Sequence, residues 1–103
     1  MKPLTKPQLK AALKTVPLWR RQGTTIRSSF EFKGFVQAIR FVNQLARLAE
    51  RAGHHPDIDI RWNQVHLVLT THDAGGLTAK DFALAAQISK KASSKASAKA
   101  EKA

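Results

Sequence analysis

Residues 50–82 read ERAGHHPDIDIRWNQVHLVLTTHDAGGLTAKDF. Gly53 is placed to close a helix in the left-handed conformation, and Pro56 forbids its continuation. Ile58 to Trp62 and Gln64 to Thr71 read as two strands around Asn63. In the second strand Val65, Leu67, Leu69 and Thr71 share one face. His66, Val68, Thr70 and His72 share the other if the strand stays regular. Thr78 can cap a new helix, with Asp81 at the third helical position as in a capping box, and Leu77 and Phe82 have the spacing of a hydrophobic staple. The stretch therefore carries a helix end, a strand pair and a helix start.

The same pattern extends outward in both directions. Residues 34–50 predict a long helix, with Phe35, Ala38, Ile39, Val42, Leu45, Ala46 and Ala49 forming one apolar stripe. Upstream, Trp19 to Gln22 and Thr25 to Phe32 flank Gly23 as a hairpin. Ile26, Phe30 and Phe32 share parity in its second strand, which predicts one buried face. Residues 7–14 read as a short helix ended by Pro17. Downstream, the helix that starts at Thr78 should run to about Lys90.

The order is α-β-β-α-β-β-α. Both strand pairs have hairpin-length connections, so the expected fold is α+β: a four-stranded antiparallel sheet with three helices on one face. Residues 1–91 form one domain in this reading. Residues 92–103 hold only Ala, Ser, Lys and one Glu, and are expected to be a disordered or frayed basic tail. One sheet face would stay bare in a monomer. Trp62 and Val68 are candidates for it, which points to a homodimer or homotetramer.

Composition narrows the function. The 103 residues contain no cysteine, so neither a disulfide framework nor a thiolate metal site is available. Nothing resembles a signal peptide or an apolar run long enough to span a bilayer, so a soluble, cytoplasmic protein is expected. The net charge is +11. Residues 1–27 contribute +7 and contain no acid, residues 90–103 contribute +4, and residues 28–89 sum to zero. The excess thus lies outside the segment that carries all four histidines. Basicity of this kind predicts at most weak, sequence-independent contact with polyanions. No recognition-helix or stacking-aromatic motif implies specific nucleic-acid binding.

The chemical signal is the histidine cluster. Three of the four histidines, His54, His55 and His72, sit at predicted element ends, where scaffolds place reactive groups. An imidazole exchanges protons readily near neutral pH, which suits acid/base work.

Glu-x-x-x-His-His-Pro, two strands, Thr-His and Gly-Leu-Thr-x-x-Asp occur together, in order, at Glu50–Pro56, Thr71–His72 and Gly76–Asp81. With Val65-His66-x-x-Leu69, Trp19 and Phe30-x-Phe32-Lys33-x-Phe35, the chain resembles the pterin-4α-carbinolamine dehydratases over roughly residues 4–90. That resemblance implies dehydration of a 4a-hydroxy-tetrahydropterin to quinonoid dihydropterin, which recycles the cofactor of aromatic amino acid hydroxylases. It implies no metal and no organic cofactor. Carried over by motif, His54 and His72 would be the acid/base pair, and His55 would mainly hold the pterin. Glu50 and Asp81 would orient histidines or bond the pterin. Pro56, Thr70 and Thr71 would line the pocket, and Trp19 would pack on its edge. Gly53 and Ala74 differ from the acidic residue and the cysteine found there in some members. A dimerisation partner or coactivator of a transcription regulator is the family's other implied role.

Plainer readings stand beside these. His54, His55 and His72 suffice in number for zinc, but adjacent side chains diverge and no fourth ligand has zinc spacing. His66 reads as a structural or interface residue, and Trp19 and Trp62 as core or interface aromatics.

Overall fold

The computed structural model describes residues 2–94. Helix α1 (Lys6–Thr15) opens on a capping box, in which the Gln8 N–H donates to Thr5 Oγ1 and the Thr5 N–H donates to the Gln8 side chain. Strands β1 (Arg20–Gln22) and β2 (Thr25–Glu31) follow, then α2 (Phe35–Ala52), β3 (Asp57–Arg61), β4 (Gln64–Leu69), a 3-10 turn at His72–Ala74, and α3 (Ala79–Ser94). The expected order and the antiparallel sheet are both present. Among the described residues no helix is long and apolar enough to cross a membrane.

The strands lie in the order β1-β2-β4-β3. The two hairpins are joined by β2 and β4, which run antiparallel from Ile26↔Leu69 to Glu31↔Gln64. Alternation then sorts the faces. Ile26, Ser28 and Phe30 on β2 and Val65, Leu67 and Leu69 on β4 are all buried beneath the helices. The opposite face includes the rows Arg20–Arg27–Val68–Asp57, Ser29–His66–Asp59 and Glu31–Gln64–Arg61. His66 is half-buried there, with Nδ1 2.6 Å from Ser29 Oγ, so its side chain serves the sheet.

Three expectations change. Helix α2 buries Ala38, Phe41, Leu45, Leu48 and Ala49, an arc rotated from the expected stripe. Phe35 is 53% exposed, and so is its neighbour Val36 at 56%. The helix is apolar around too much of its girth for periodicity to choose an arc. The aromatic pocket under it chooses: Phe41 lies 5.6 Å from Phe30 and 4.8 Å from Phe32, ring centre to ring centre.

Trp19 is the second. It is 3% exposed and edge-on to Phe30, and its Nε1–H donates to Ser89 Oγ at 2.8 Å. Trp19 is a core residue that locks β1's entry to α3, and it does not edge the pocket.

The third is the start of the tail. Helix α3 continues past Lys90 to Ser94, and Ala92 is buried in the core. An alanine at the right helical phase is enough to stay packed where no bulky apolar group follows. The rest of the expected tail, residues 95–103, lies outside the described residues.

Trp62 occupies the turn between β3 and β4 with a φ of 53° and 70% exposure. A bulky residue rarely adopts that backbone conformation.

Candidate active site

The site forms where the end of α2, the end of β4 and the start of α3 meet. Gly53, with φ 62°, caps α2 in the left-handed conformation. Its reversal lets the His54 N–H donate to the Ala49 carbonyl, and the chain turns His54 back toward α3. Past β4, Thr71 and Gly76 form an isolated antiparallel bridge that pinches off the 3-10 turn at His72–Ala74. His72 is therefore held at the start of a short closed loop, next to the bridging Thr71.

Asp81 organises these pieces. It is fully buried. Its Oδ1 lies 2.6 Å from His54 Nε2. Its Oδ2 accepts the Thr71 hydroxyl at 2.7 Å and the Thr78 N–H at 2.9 Å. The second of these is the returning arm of the expected capping box. Thr78 Oγ1 accepts from the Lys80 N–H and lies 2.9 Å from Thr71 Oγ1. Because the Thr71 proton is committed to Asp81, the Thr78 hydroxyl donates to Thr71. The network is closed, and a carboxylate at its centre needs a proton on His54 Nε2. That assigns the tautomer and leaves Nδ1 as the accepting nitrogen. A buried carboxylate in this position holds the imidazole in one tautomer and one orientation.

A cavity of about 270 Å³ opens beside this network, lined by Gly53, His54, His55, Thr70, Thr71, His72, Asp73 and Lys80. The three candidate histidines are thus brought together around one space. Thr70 lines it too, although its hydroxyl donates to the Thr24 carbonyl at 2.6 Å and so ties the site to the β1–β2 turn. Glu50 lies outside the lining and accepts from His55 Nε2. That pair is exposed on both sides, 62% and 76%, so it orients His55 more than it stabilises the fold. Pro56 is also outside the lining and acts by ending α2. Lys80 and Asp73 were not singled out by sequence reasoning. Their only signal was adjacency, Lys80 to Asp81 and Asp73 to His72. Among the described residues no group of three or more His, Asp or Glu side chains is arranged to hold a metal ion.

His54, held by Asp81, and two further histidines thus line one open polar pocket at the edge of an α+β sheet domain. The sequence pattern of the pterin 4 alpha carbinolamine dehydratase family matches residues 2–91, and the chain belongs to that family. A protein of Roseiflexus castenholzii, provisionally named for that dehydratase, is 66% identical over 70 residues, which is 68% of this chain and 75% of that one. An Acidobacterium capsulatum protein with the same provisional name is 53% identical over 88 residues, covering 85% of this chain and 96% of its own. Among solved structures, a transcriptional coactivator/pterin dehydratase from Brucella melitensis superposes with a TM-score of 0.85 at 32% identity, over 88% of this chain and 99% of its own. A pterin dehydratase-like protein identified as a RuBisCO assembly factor in the alpha-carboxysome gives a TM-score of 0.62 at 30% identity, over 72% and 88%.

Proposed function

We propose that this protein dehydrates 4a-hydroxy-tetrahydropterin to quinonoid dihydropterin and water, by histidine acid/base catalysis without a metal, in the cytoplasm. The observation that carries the reading is Asp81 fixing His54 beside a cavity that His55 and His72 also line, in a chain of this family. In the proposed step His54 Nδ1 takes the proton from pterin N5. The N5 electron pair forms the N5=C4a double bond, and the C4a–O bond breaks. His72 gives the departing hydroxyl a proton, so that water leaves. The two proton transfers balance over a turnover: His72, exposed to solvent, is reprotonated there, and His54 releases the proton taken from N5 to solvent once the product has left. His55, steadied by Glu50, holds the pterin ring. Thr70 and Thr71 shape the wall, and no organic cofactor enters the scheme.

The direct test is the purified protein treated with chelator and given both 4a-hydroxyl epimers, with quinonoid dihydropterin followed by absorbance. Activity should persist. Activity that vanishes and returns only with added zinc refutes the assignment.

A second reading has its own observation. Phe35 and Val36 are more than half exposed on α2, and the half-buried Ile39 and Val42 extend that apolar side. Such a face suits a partner helix, either from a second copy in a homodimer or homotetramer or from a transcription regulator. Light scattering of Phe35→Glu against the unmodified protein tests it, and an unchanged oligomeric state rules out this face.

A further inference from the structure

Besides its histidines, the cavity has two charged wall residues, Asp73 and Lys80. The proposed step uses neither. Among the described residues Lys80 forms no ion pair, with Asp73 or with any other carboxylate. Its place in the fold is unfavourable to a cation. Lys80 is the second residue of α3, where the positive end of the helix dipole repels an ammonium. The acidic residue of that turn is Asp81, and its two oxygens are taken by His54, Thr71 and Thr78. The Lys80 backbone is nevertheless fixed, because its N–H donates to Thr78 Oγ1 at 3.3 Å, within the network that holds His54. An unneutralised positive charge is thus held at the cavity wall, and an anion beside it would relieve the cost.

Ring chemistry says which part of a pterin reaches that charge. C4a, N5 and C6 are consecutive ring atoms. The proposed step puts the C4a hydroxyl at His72 and N5 at His54. C6 comes next, so its substituent leaves the ring on the His54 side. His54 is bound to Asp81, and Lys80 immediately precedes Asp81 in the chain. Asp73 instead follows His72, at the other end of the reacting edge. The positive wall residue and the C6 substituent therefore share one side of the cavity, and the negative one is kept away from it.

Building on the pterin reading of the site, we propose that Lys80 makes this cavity selective for pterins whose C6 substituent ends in a phosphate or carboxylate, over pterins with a neutral C6 chain. A lysine ammonium is a point charge with three donors on a flexible stem, which suits an anionic group at the end of a short chain. Lys80 is exposed in the free protein, so water screens the pair, and the preference should be roughly three- to fivefold.

The experiment is equilibrium binding of three pterins to the full chain, read by quenching of pterin fluorescence: 6-hydroxymethylpterin, its phosphate ester and pterin-6-carboxylate. The anionic ligands should bind roughly three- to fivefold more tightly than the neutral one at about 50 mM salt, and the difference should shrink at about 500 mM. Lys80→Gln should bring the ratio close to one, and Lys80→Arg should keep it. Both changes retain the backbone bond to Thr78. Lys10→Gln removes the same charge from α1, away from the cavity, and should also keep the ratio. A preference for only one of the two anions that Lys80→Gln abolishes supports the proposal for that anion. Equal binding of neutral and anionic pterins, or a preference that survives Lys80→Gln, overturns the proposal and leaves the pterin reading standing; the second result would assign the selectivity to the histidines. Failure of all three pterins to bind the folded protein refutes the pterin reading itself, and the selectivity with it.

Discussion

Asp81→Asn is the perturbation that tests the site most sharply. The carboxylate is fully buried and receives three donors: His54 Nε2, the Thr71 hydroxyl and the Thr78 N–H. An amide has nearly the same shape but only one accepting oxygen. If that oxygen keeps Thr71 and Thr78, the NH₂ group faces His54 Nε2, and two donors meet. The imidazole escapes by moving its proton to Nδ1, which is the nitrogen assigned to the substrate. Weakening charge-assisted bonds should cost about 1–3 kcal/mol of stability. Losing the correctly poised base should lower kcat by roughly 10²- to 10⁴-fold. Asp81→Ala would strand all three donors and should cost more, about 3–5 kcal/mol, by analogy with breaking a buried pair. Thermal unfolding, kcat on both 4a epimers and the histidine ring ¹⁵N spectrum read these effects separately. A folded Asp81→Asn protein with unmodified kcat, or with His54 still protonated at Nε2, refutes the proposed role of the Asp81–His54 pair.

The remaining expectations are more local. His54→Ala and His72→Ala should each lower kcat by roughly 10²-fold or more, while His55→Ala, whose side chain is largely exposed, should act mainly on KM. Steady-state kinetics decides this, and full activity of the His54/His72 double variant on both epimers would defeat it. Phe41→Ala should destabilise by about 3–5 kcal/mol in denaturant unfolding, because a fully buried ring beside Phe30 and Phe32 leaves a void. Truncation after Ser94 should leave kcat/KM within about twofold, far from the ~1.4 kcal/mol of a tenfold change. Truncation after Lys91 also removes buried Ala92 and should lower Tm in the same scan.

Much of the architecture was legible in the chain because its signals are local. Gly53 and Pro56 end α2 through backbone conformation alone, and alternation in β2 and β4 reflects a period of two that no distant contact can alter. Thr78 and Asp81 stand three apart, close enough for one to cap the other whatever surrounds them. Residue types and order also sufficed to single out His54, His55 and His72 as one chemical group.

Other features depended on packing across the chain. Helix α2 offers two overlapping apolar arcs, and only the ring surfaces of Phe30 and Phe32 decide that Phe41, and not Phe35, turns inward. Trp19 reads equally well as a pocket wall or as core until Ser89, far along the chain, is seen to take its N–H. Lys80 carries no motif, and it reaches the cavity because α3 starts where β4 ends. The bond from Asp81 to His54 joins two segments that have no local reason to meet. Burial makes that bond consequential, since an unmet charge costs far more away from water than in it. The residue types were set by the sequence, and the tautomer of His54 by the fold.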